Sequence, residues 1–147
     1  LLVAGAGSER AACEETIRIR NLRVSMLGDV SNAHLRDLMG SCEGLVFASK
    51  ALEGSPLVYA EALQAGLPVL AANGSTVASQ VLLDSTGVNF DLRNSKSLLA
   101  ALAAVRESRE TFASEGKQVF QSRHTPDYWL SRITHLYRSV IESGRRH

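Results

Sequence analysis

Two glutamates and the segment between them are the residues of this 147-residue chain best suited to chemistry. Glu53 lies in a loop after an apolar run, and Glu61 lies about one turn into the following predicted helix, which Pro56 can begin because its missing N–H is not needed there. A carboxylate accepts hydrogen bonds from two neighbouring hydroxyls, which a sugar or a ribose offers. The free N–H groups of Leu57 and Val58 at the helix start suit a diphosphate.

A purely structural interpretation of the same segment is a helix cap followed by a solvated acid. Glu61 argues against it, because this residue lies between Tyr59-Ala60 and Ala62-Leu63 in a helix with little polar surface. An acid in such surroundings needs a partner. From these residues alone, the functional pair and the structural interpretation both stand.

Gly5-Ala6-Gly7 is a second candidate, because it follows a predicted strand and opens a predicted helix. Glycines at such a turn let a phosphate approach backbone N–H groups. The full dinucleotide pattern G-x-G-x-x-G requires glycine at position 10, where this chain has Arg10. A tight turn between strand and helix is therefore favoured over a phosphate contact. Lys50 could pair with a phosphate or base, or could be a solvated loop lysine.

Short apolar runs alternate with amphipathic stretches along the chain, and this alternation predicts the elements that position these residues. Strands are predicted at residues 1–4, 22–27, 44–49, 68–72 and 88–91, and helices at 9–18, 32–39, 57–65 and 75–83. From residue 95 the chain is predicted to be helical, with breaks near Gly116 and Pro126. The fold class is therefore α/β, a Rossmann-like doubly wound parallel sheet with helices on both faces, followed by C-terminal helices.

The composition excludes several function classes. With 45% hydrophobic and 21% charged residues, the chain is an ordinary globular domain, and no apolar run reaches the roughly 20 residues that span a bilayer. The basic residues of the C-terminal part are spread along helices, which predicts no nucleic-acid binding. Two cysteines without metal-ligand spacing and no leader indicate a cytoplasmic protein. A start inside an apolar run indicates a piece of a longer protein.

The segment E-G-S-P-L-V-Y-A-E-A-L-Q-A-G-L-P-V-L, residues 53–70, resembles the C-terminal domain of retaining glycosyltransferases of family four, the group 1 enzymes with the GT-B fold. The family pattern is a glutamate, seven residues, and then E-A-x-x-x-G-x-P-V. Here the pattern is matched by Glu53, Glu61-Ala62, Gly66 and Pro68-Val69. The resemblance covers essentially the whole chain, which would then be one half of a GT-B fold.

The resemblance implies a site for a nucleotide-diphosphate sugar. Glu53 would be the catalytic residue and contact hydroxyls of the donor sugar, while Glu61 would accept the ribose hydroxyls. The other donor-binding residues would be Gly5, Gly7, Gly28, Ser49, Lys50, Gly54, Ser55, Pro56, Leu57 and Val58. No metal or cofactor is implied, because cations and helix ends balance the departing diphosphate.

The implied reaction moves a hexose from a UDP-, GDP- or ADP-sugar to a glycan or lipid-linked acceptor. The implied partners are an N-terminal acceptor domain and the inner face of a membrane. The terminal helix has one apolar stripe, which is predicted to pack on the sheet: Trp129, Ile133, Leu136, Tyr137 and Val140. An interface with the acceptor domain, or a basic amphipathic surface on the membrane, is the alternative for this helix. Two alternatives remain open, a degenerate domain that acts as a binding module and a sugar-nucleotide epimerase. The first is favoured a little by residues 73–79, where the family has G-G-x-P-E and this chain has no acid.

Overall fold

A computed structural model of the chain describes residues 1–49, 54 and 56–144. The elements of this part, in chain order, are β1 (Leu2–Ala4), α1 (Arg10–Ile19), β2 (Ser25–Gly28), α2 (Asn32–Ser41), β3 (Leu45–Phe47), α3 (Leu57–Ala65), β4 (Val69–Ala72), α4 (Ala78–Leu83), β5 (Gly87–Phe90), α5 (Ser95–Glu107), α6 (Arg109–Arg123) and α7 (Pro126–Gly144). They form two compact units. Unit 1 comprises residues 1–38 and unit 2 begins at residue 39, so that α2 runs across the division.

Unit 1 is a small parallel pair of strands connected by α1. Val3 of β1 pairs with Met26 of β2, and the register shifts after this pair so that Ala4 pairs with Gly28. The N–H of Ser25 continues the ladder by donating to the carbonyl oxygen of Leu1. The shift places the ends of both strands beside the turn that leads into α1.

Unit 2 contains a three-stranded parallel sheet in the order β3-β4-β5. All four residues of the central strand β4 are apolar and buried, as is typical of a parallel strand that is covered on both faces. The neighbouring strand β5 begins with Gly87, where an added Cβ would overlap the backbone of Val69. Only glycine permits this close approach at the start of the strand.

The core of unit 2 lies where α5 packs against β4 and β5. Buried side chains of one cluster here come from all three elements, and half-buried hydrophobic residues surround them: the buried ones are Leu70, Ala72, Phe90, Ala101 and Val105. Helix α4 also packs on these two strands, and α6 packs along α3. The prediction of an α/β fold with parallel sheets flanked by helices is confirmed, and the strands pair as one sheet in each unit.

The predicted helix break near Gly116 is wrong. The break between the first two C-terminal helices lies at Ser108, which has non-helical backbone angles and ends α5 immediately before α6. Gly116 is buried in the middle of α6, where a Cβ would lie 3.4 Å from Cδ2 of Leu63. The glycine therefore serves close packing against α3 rather than helix termination.

The helix predicted from Ser75 begins three residues later, at Ala78. The N–H of Ser75 donates to the carbonyl oxygen of Ala72, and the N–H of Ala78 donates to that of Ser75. These two bonds close a turn over residues 73–77. The second strand also starts late, at Ser25 rather than at residue 22.

Candidate functional site

The first turn of α3 has backbone N–H groups and no acidic side chain to compensate them. Pro56 is the N-cap residue and has an extended backbone, and no side chain of the described residues caps the helix. Leu57 is exposed, Val58 is half-buried and Gly54 lies in an exposed bend. The positive end of the helix dipole is therefore available to an anion at this point.

Glu61 lies in the second turn of the same helix and is half-buried. Its neighbour Ala62 is fully buried. Among the residues that the structure describes, no side chain or backbone group forms an ion pair or hydrogen bond with the Glu61 carboxylate. A half-buried carboxylate with free acceptor positions can receive donors from a ligand, such as hydroxyl groups.

A buried polar network holds the opposite side of α3. The Tyr59 hydroxyl lies 3.0 Å from Oγ1 of Thr86, and both residues are buried. Burial raises the pKa of the Tyr59 hydroxyl above its ordinary value, so this group stays protonated and can donate. The Tyr59 ring also meets the ring of His124 edge to face, with 6.2 Å between centroids. These contacts fix the helix that carries Glu61.

The same network continues to an ion pair at the end of α6. Nη1 of Arg123 lies 2.6 Å from Oδ1 of Asp84, whose side chain is only 2% exposed, and Gln80 donates to the other oxygen at 2.5 Å. Burial lowers the pKa of His124 below its ordinary value. The negative charge of Asp84 opposes this shift and the positive charge of Arg123 adds to it, so the pKa stays lowered. The network therefore favours a neutral histidine beside a charged Asp84–Arg123 pair.

The turn between β4 and α4 lies in the 73–79 stretch that departs from the family pattern, and it contains polar groups that were not among the predicted site residues. The hydroxyls of Ser75 and Thr76 and the Oδ1 oxygen of Asn89 are buried and have no hydrogen-bond partner among the described residues. The unexpected start of α4 at Ala78 places Ser75 and Thr76 in this turn rather than in a helix. Their sequence signal, two hydroxyl residues after Asn73-Gly74, is typical of any turn.

The glycine turn of unit 1 is built as the sequence predicts, with one addition. The N–H of Gly5 donates to the carbonyl oxygen of Gly28 at 2.7 Å, and the carbonyl oxygen of Gly7 accepts from the N–H of Arg10. The Arg10 guanidinium occupies the space where a Cβ of Gly28 would lie, and its Nε donates to Glu14 at 2.7 Å. Arg10 therefore fills the turn at the position where a dinucleotide fingerprint has glycine.

The predicted site residues are thus brought together in two sets. Gly5, Gly7 and Gly28 lie together in unit 1. The set in unit 2 lies around the start of α3 and comprises Gly54, Pro56, Leu57, Val58 and Glu61. Ser49 is half-buried and lies two residues after β3. The predictions for Lys50, Glu53 and Ser55 fall outside the described residues, and every assignment of a donor contact stays a prediction.

In residues 1–49, 54 and 56–144, no group of three or more His, Cys, Asp or Glu side chains is placed to hold a metal ion. None of the helices in the same ranges combines the length and hydropathy that crossing a membrane requires.

Several solved structures share this fold. Sucrose-phosphate synthase from Thermosynechococcus elongatus superposes with a TM-score of 0.77 at 20% identity, over 97% of this chain and 39% of that protein. Anabaena HepE in complex with UDP superposes with a TM-score of 0.79 at 24% identity, over 94% of this chain and 40% of HepE. AviGT4, a glycosyltransferase of avilamycin A biosynthesis, gives 0.70 at 19% identity, over 97% of this chain and 44% of AviGT4.

These similarities establish the fold, a Rossmann-like half of a GT-B glycosyltransferase structure. The chain spans about two fifths of the length of each of the three proteins. Comparison with curated protein sequences gives no significant match. The sequence profile described as "Glycosyl transferases group 1" matches residues 1–119, which is most of the chain. On that match, with the fold in agreement, the chain belongs to the group 1 glycosyl transferase family.

Proposed function

We propose that this chain is the donor-binding part of a retaining glycosyltransferase and that it binds a nucleotide-diphosphate sugar. The observation that carries the proposal is Glu61, a half-buried carboxylate that has no partner among the described residues and lies one turn from an uncapped helix start. A ribose with two vicinal hydroxyls satisfies such a carboxylate, and a diphosphate satisfies such a helix start. Family membership makes a sugar nucleotide the ligand that offers both groups.

The residues of α3 and the preceding loop have distinct proposed roles. Glu61 accepts hydrogen bonds from the ribose, and the N–H groups of Leu57 and Val58 bind the diphosphate. Gly54 and Pro56 line the phosphate and sugar pocket with backbone, together with Ser55. Glu53 contacts the sugar hydroxyls nearest the reacting carbon. The assignments of Ser55 and Glu53 rest on the sequence pattern.

The proposed reaction exchanges one bond at the anomeric carbon for another on the same face of the sugar. The bond from this carbon to the β-phosphate oxygen breaks, and a bond to an acceptor hydroxyl oxygen forms. The acceptor proton passes to the departing phosphate oxygen, so that the leaving group acts as the base. The helix start stabilises the negative charge that develops on the diphosphate, and the proposal requires no metal ion.

The donor base is proposed by analogy. Structures of Anabaena HepE contain UDP, and UDP with glucose. We therefore propose UDP-glucose as the first donor to test, with GDP- and ADP-sugars beside it. The acceptor is proposed to be a glycan or a lipid-linked sugar, and the acceptor site to belong to a partner domain outside this chain.

Calorimetric titration of the 147-residue chain with UDP, GDP, ADP and their glucose or mannose conjugates tests the proposal. We expect one base to bind, and Glu61→Gln to weaken that binding at least tenfold, because an amide replaces one acceptor oxygen by a donor. Gln64→Ala is the matched control, since Gln64 is exposed on the same helix. Its affinity should equal that of the unaltered chain.

The other outcomes separate the alternatives. Absence of binding at millimolar nucleotide contradicts donor binding by this chain and favours a degenerate binding module. Equal binding by the unaltered chain and by Glu61→Gln contradicts the proposed role of Glu61. Conversion of the nucleotide sugar to its epimer would instead identify an epimerase. Transfer of sugar by the isolated chain would contradict its role as the donor-binding part alone.

A further inference from the structure

The turn at residues 73–77 and the neighbouring strand β5 contain three buried polar atoms without a hydrogen-bond partner among the described residues. They are Oγ of Ser75, Oγ1 of Thr76 and Oδ1 of Asn89. Ser75 as a residue is only 8% exposed. Buried polar groups are almost always hydrogen-bonded, because leaving one unpaired costs free energy. Two such atoms in the turn and one on β5 therefore indicate groups that are available to a ligand.

Backbone and side-chain hydrogen bonds tie the three residues to one place. The N–H of Ala78 donates to the carbonyl oxygen of Ser75 at 3.1 Å, and Nδ2 of Asn89 donates to the carbonyl oxygen of Ala78 at 2.9 Å. The second bond uses the amide nitrogen of Asn89 and leaves its oxygen as the free acceptor. The N–H of Asn73 donates to the carbonyl oxygen of Phe90, which holds the turn against the end of β5.

The place is the carboxyl edge of the sheet of unit 2, where open α/β sheets bind their ligands. The turn directly follows β4, and Asn89 lies on β5, paired with Ala71 of β4. Helix α3, which carries Glu61, connects β3 to β4 in the same sheet. The turn and the start of α3 thus follow the carboxyl ends of two adjacent strands.

We propose that Ser75, Thr76 and Asn89 recognise hydroxyl groups of the donor hexose, and that the turn opens to present them. This inference rests on the proposed function. Two hydroxyls can donate and accept, and an amide oxygen accepts, so the three groups match a neutral polyol. None of the three carries a charge, and an anion such as the diphosphate is better matched by the start of α3.

Gly74 gives the exposed part of the turn backbone freedom. Gly74 has a φ of +82°, which glycine adopts readily, and nothing lies within 4 Å of the position of an added Cβ. Gly74 and Asn73 are both exposed. In this structure the two hydroxyls are enclosed and have no partner among the described residues. When the turn opens onto a hexose they gain partners, so that sugar binding relieves the cost of burial.

The melting temperature distinguishes hydroxyls that bind a ligand from hydroxyls that stabilise the fold. Ser75→Ala and Thr76→Val remove unpaired buried hydroxyls, so the ligand-free double variant should melt at a higher temperature than the unaltered chain. If the hydroxyls instead stabilise the fold through hydrogen bonds, the same variant melts at a lower temperature. Thr76→Ser, which keeps a hydroxyl, should retain sugar recognition.

The experiment compares each nucleotide diphosphate with its sugar conjugate by calorimetric titration, using UDP and UDP-glucose, GDP and GDP-mannose, and ADP and ADP-glucose. In the double variant we expect the dissociation constant of the sugar conjugate to rise about tenfold relative to that of the diphosphate. The dissociation constant of the diphosphate alone should stay within about twofold of its value for the unaltered chain. Ser79→Ala is the matched control, because Ser79 is exposed on α4.

Two results overturn the inference while leaving the proposed function intact. One is nucleotide binding with the same ratio in the unaltered chain and the double variant. The other is a double variant that melts at a lower temperature or does not fold. Absence of nucleotide binding by the unaltered chain overturns the proposed function, and the inference with it.

Discussion

Helices α3 and α7 contain similar kinds of apolar side chain, but they differ in how far these side chains are buried. α3 has nine residues and buries Tyr59, Ala62 and Leu63. α7 has 19 residues and buries none, although its apolar side chains fall on one side at helical spacing: Trp129, Leu130, Ile133, Leu136, Tyr137, Val140 and Ile141. Burial therefore depends on which elements enclose a helix, and not on how regular its apolar stripe is.

The polar groups of the two helices differ in the same direction. Tyr59 of α3 places its hydroxyl in a buried network with Thr86, beside His124. The serines of α7 donate to carbonyl oxygens of their own helix, as Ser139 does to Leu136. α3 is thus held by contacts distant in sequence, whereas the bonds of α7 are local. The prediction that the apolar stripe of α7 packs on the sheet is wrong, because no residue of this helix is buried. Contacts of α7 to a partner domain or a membrane stay predictions.

The largest expected effect in this comparison is on the core side of α3. Leu63 is completely buried and lies against α6, so Leu63→Ala leaves a cavity as well as losing apolar contacts. We expect the free energy of unfolding to fall by about 3 kcal/mol. Urea denaturation monitored by circular dichroism measures this change. A loss below about 1 kcal/mol would mean that α3 is not enclosed as described.

The second effect concerns the ion pair behind α3. Arg123→Ala removes the charged partner of the buried Asp84 carboxylate and leaves it with Gln80 alone. We expect a loss of about 2 kcal/mol, because a hydrogen bond to a buried charge is lost. Arg106→Ala is the matched control, because both side chains of the Arg106–Glu43 ion pair are exposed. Its cost should stay below about 1 kcal/mol. Equal losses for the two variants would contradict the distinction.

The third effect isolates the hydroxyl of Tyr59. Tyr59→Phe keeps the ring and removes the hydrogen bond to Thr86, so the Thr86 hydroxyl stays buried without its partner. We expect a loss of about 1 kcal/mol in thermal or urea denaturation. Tyr137→Phe on α7 is the control, because Tyr137 is exposed and should cost close to nothing. A neutral Tyr59→Phe would show that α3 is held by packing alone.

The pH dependence of stability provides a smaller effect. Burial lowers the pKa of His124 in the folded chain, so the unfolded chain binds a proton more tightly. Stability from this residue is therefore complete above the ordinary histidine pKa of about 6.5 and is lost as the pH falls below it. Melting temperatures between pH 8 and pH 5 should fall less steeply for His124→Gln than for the unaltered chain. Parallel curves would contradict a lowered pKa of the half-buried His124.

Much of the fold follows from local sequence signals. The apolar run at residues 68–72 predicts a strand, which the structure has as the central strand β4. Gly66 predicts the end of α3, where it adopts the left-handed conformation. Gly116 misled the prediction, because its small size serves packing against Leu63, and this contact joins residues 53 positions apart in sequence. A local pattern does not distinguish a glycine that ends a helix from one that admits a neighbouring helix.

The candidate site shows the same limit. The spacing of Pro56 and Glu61 predicts a carboxylate one turn into a helix, and the structure has it there without a partner among the described residues. The position of Arg10 over Gly28, and the unpaired groups of Ser75 and Asn89, depend on pairing between strands. These relations appear only once the chain is folded.

The smallest expected effect is the counterpart of the largest. Leu136→Ala on α7 removes the same atoms as Leu63→Ala. Leu136 is 55% exposed in the folded chain, so folding removes much less of its apolar surface from water. We expect the free energy of unfolding of the 147-residue chain to change by less than about 0.5 kcal/mol. The same urea denaturation measures it, and alanine favours a helix enough to offset part of any lost contact. A loss that approaches that of Leu63→Ala would mean that the apolar side of α7 is covered in solution, and the contrast between the two helices would then fail.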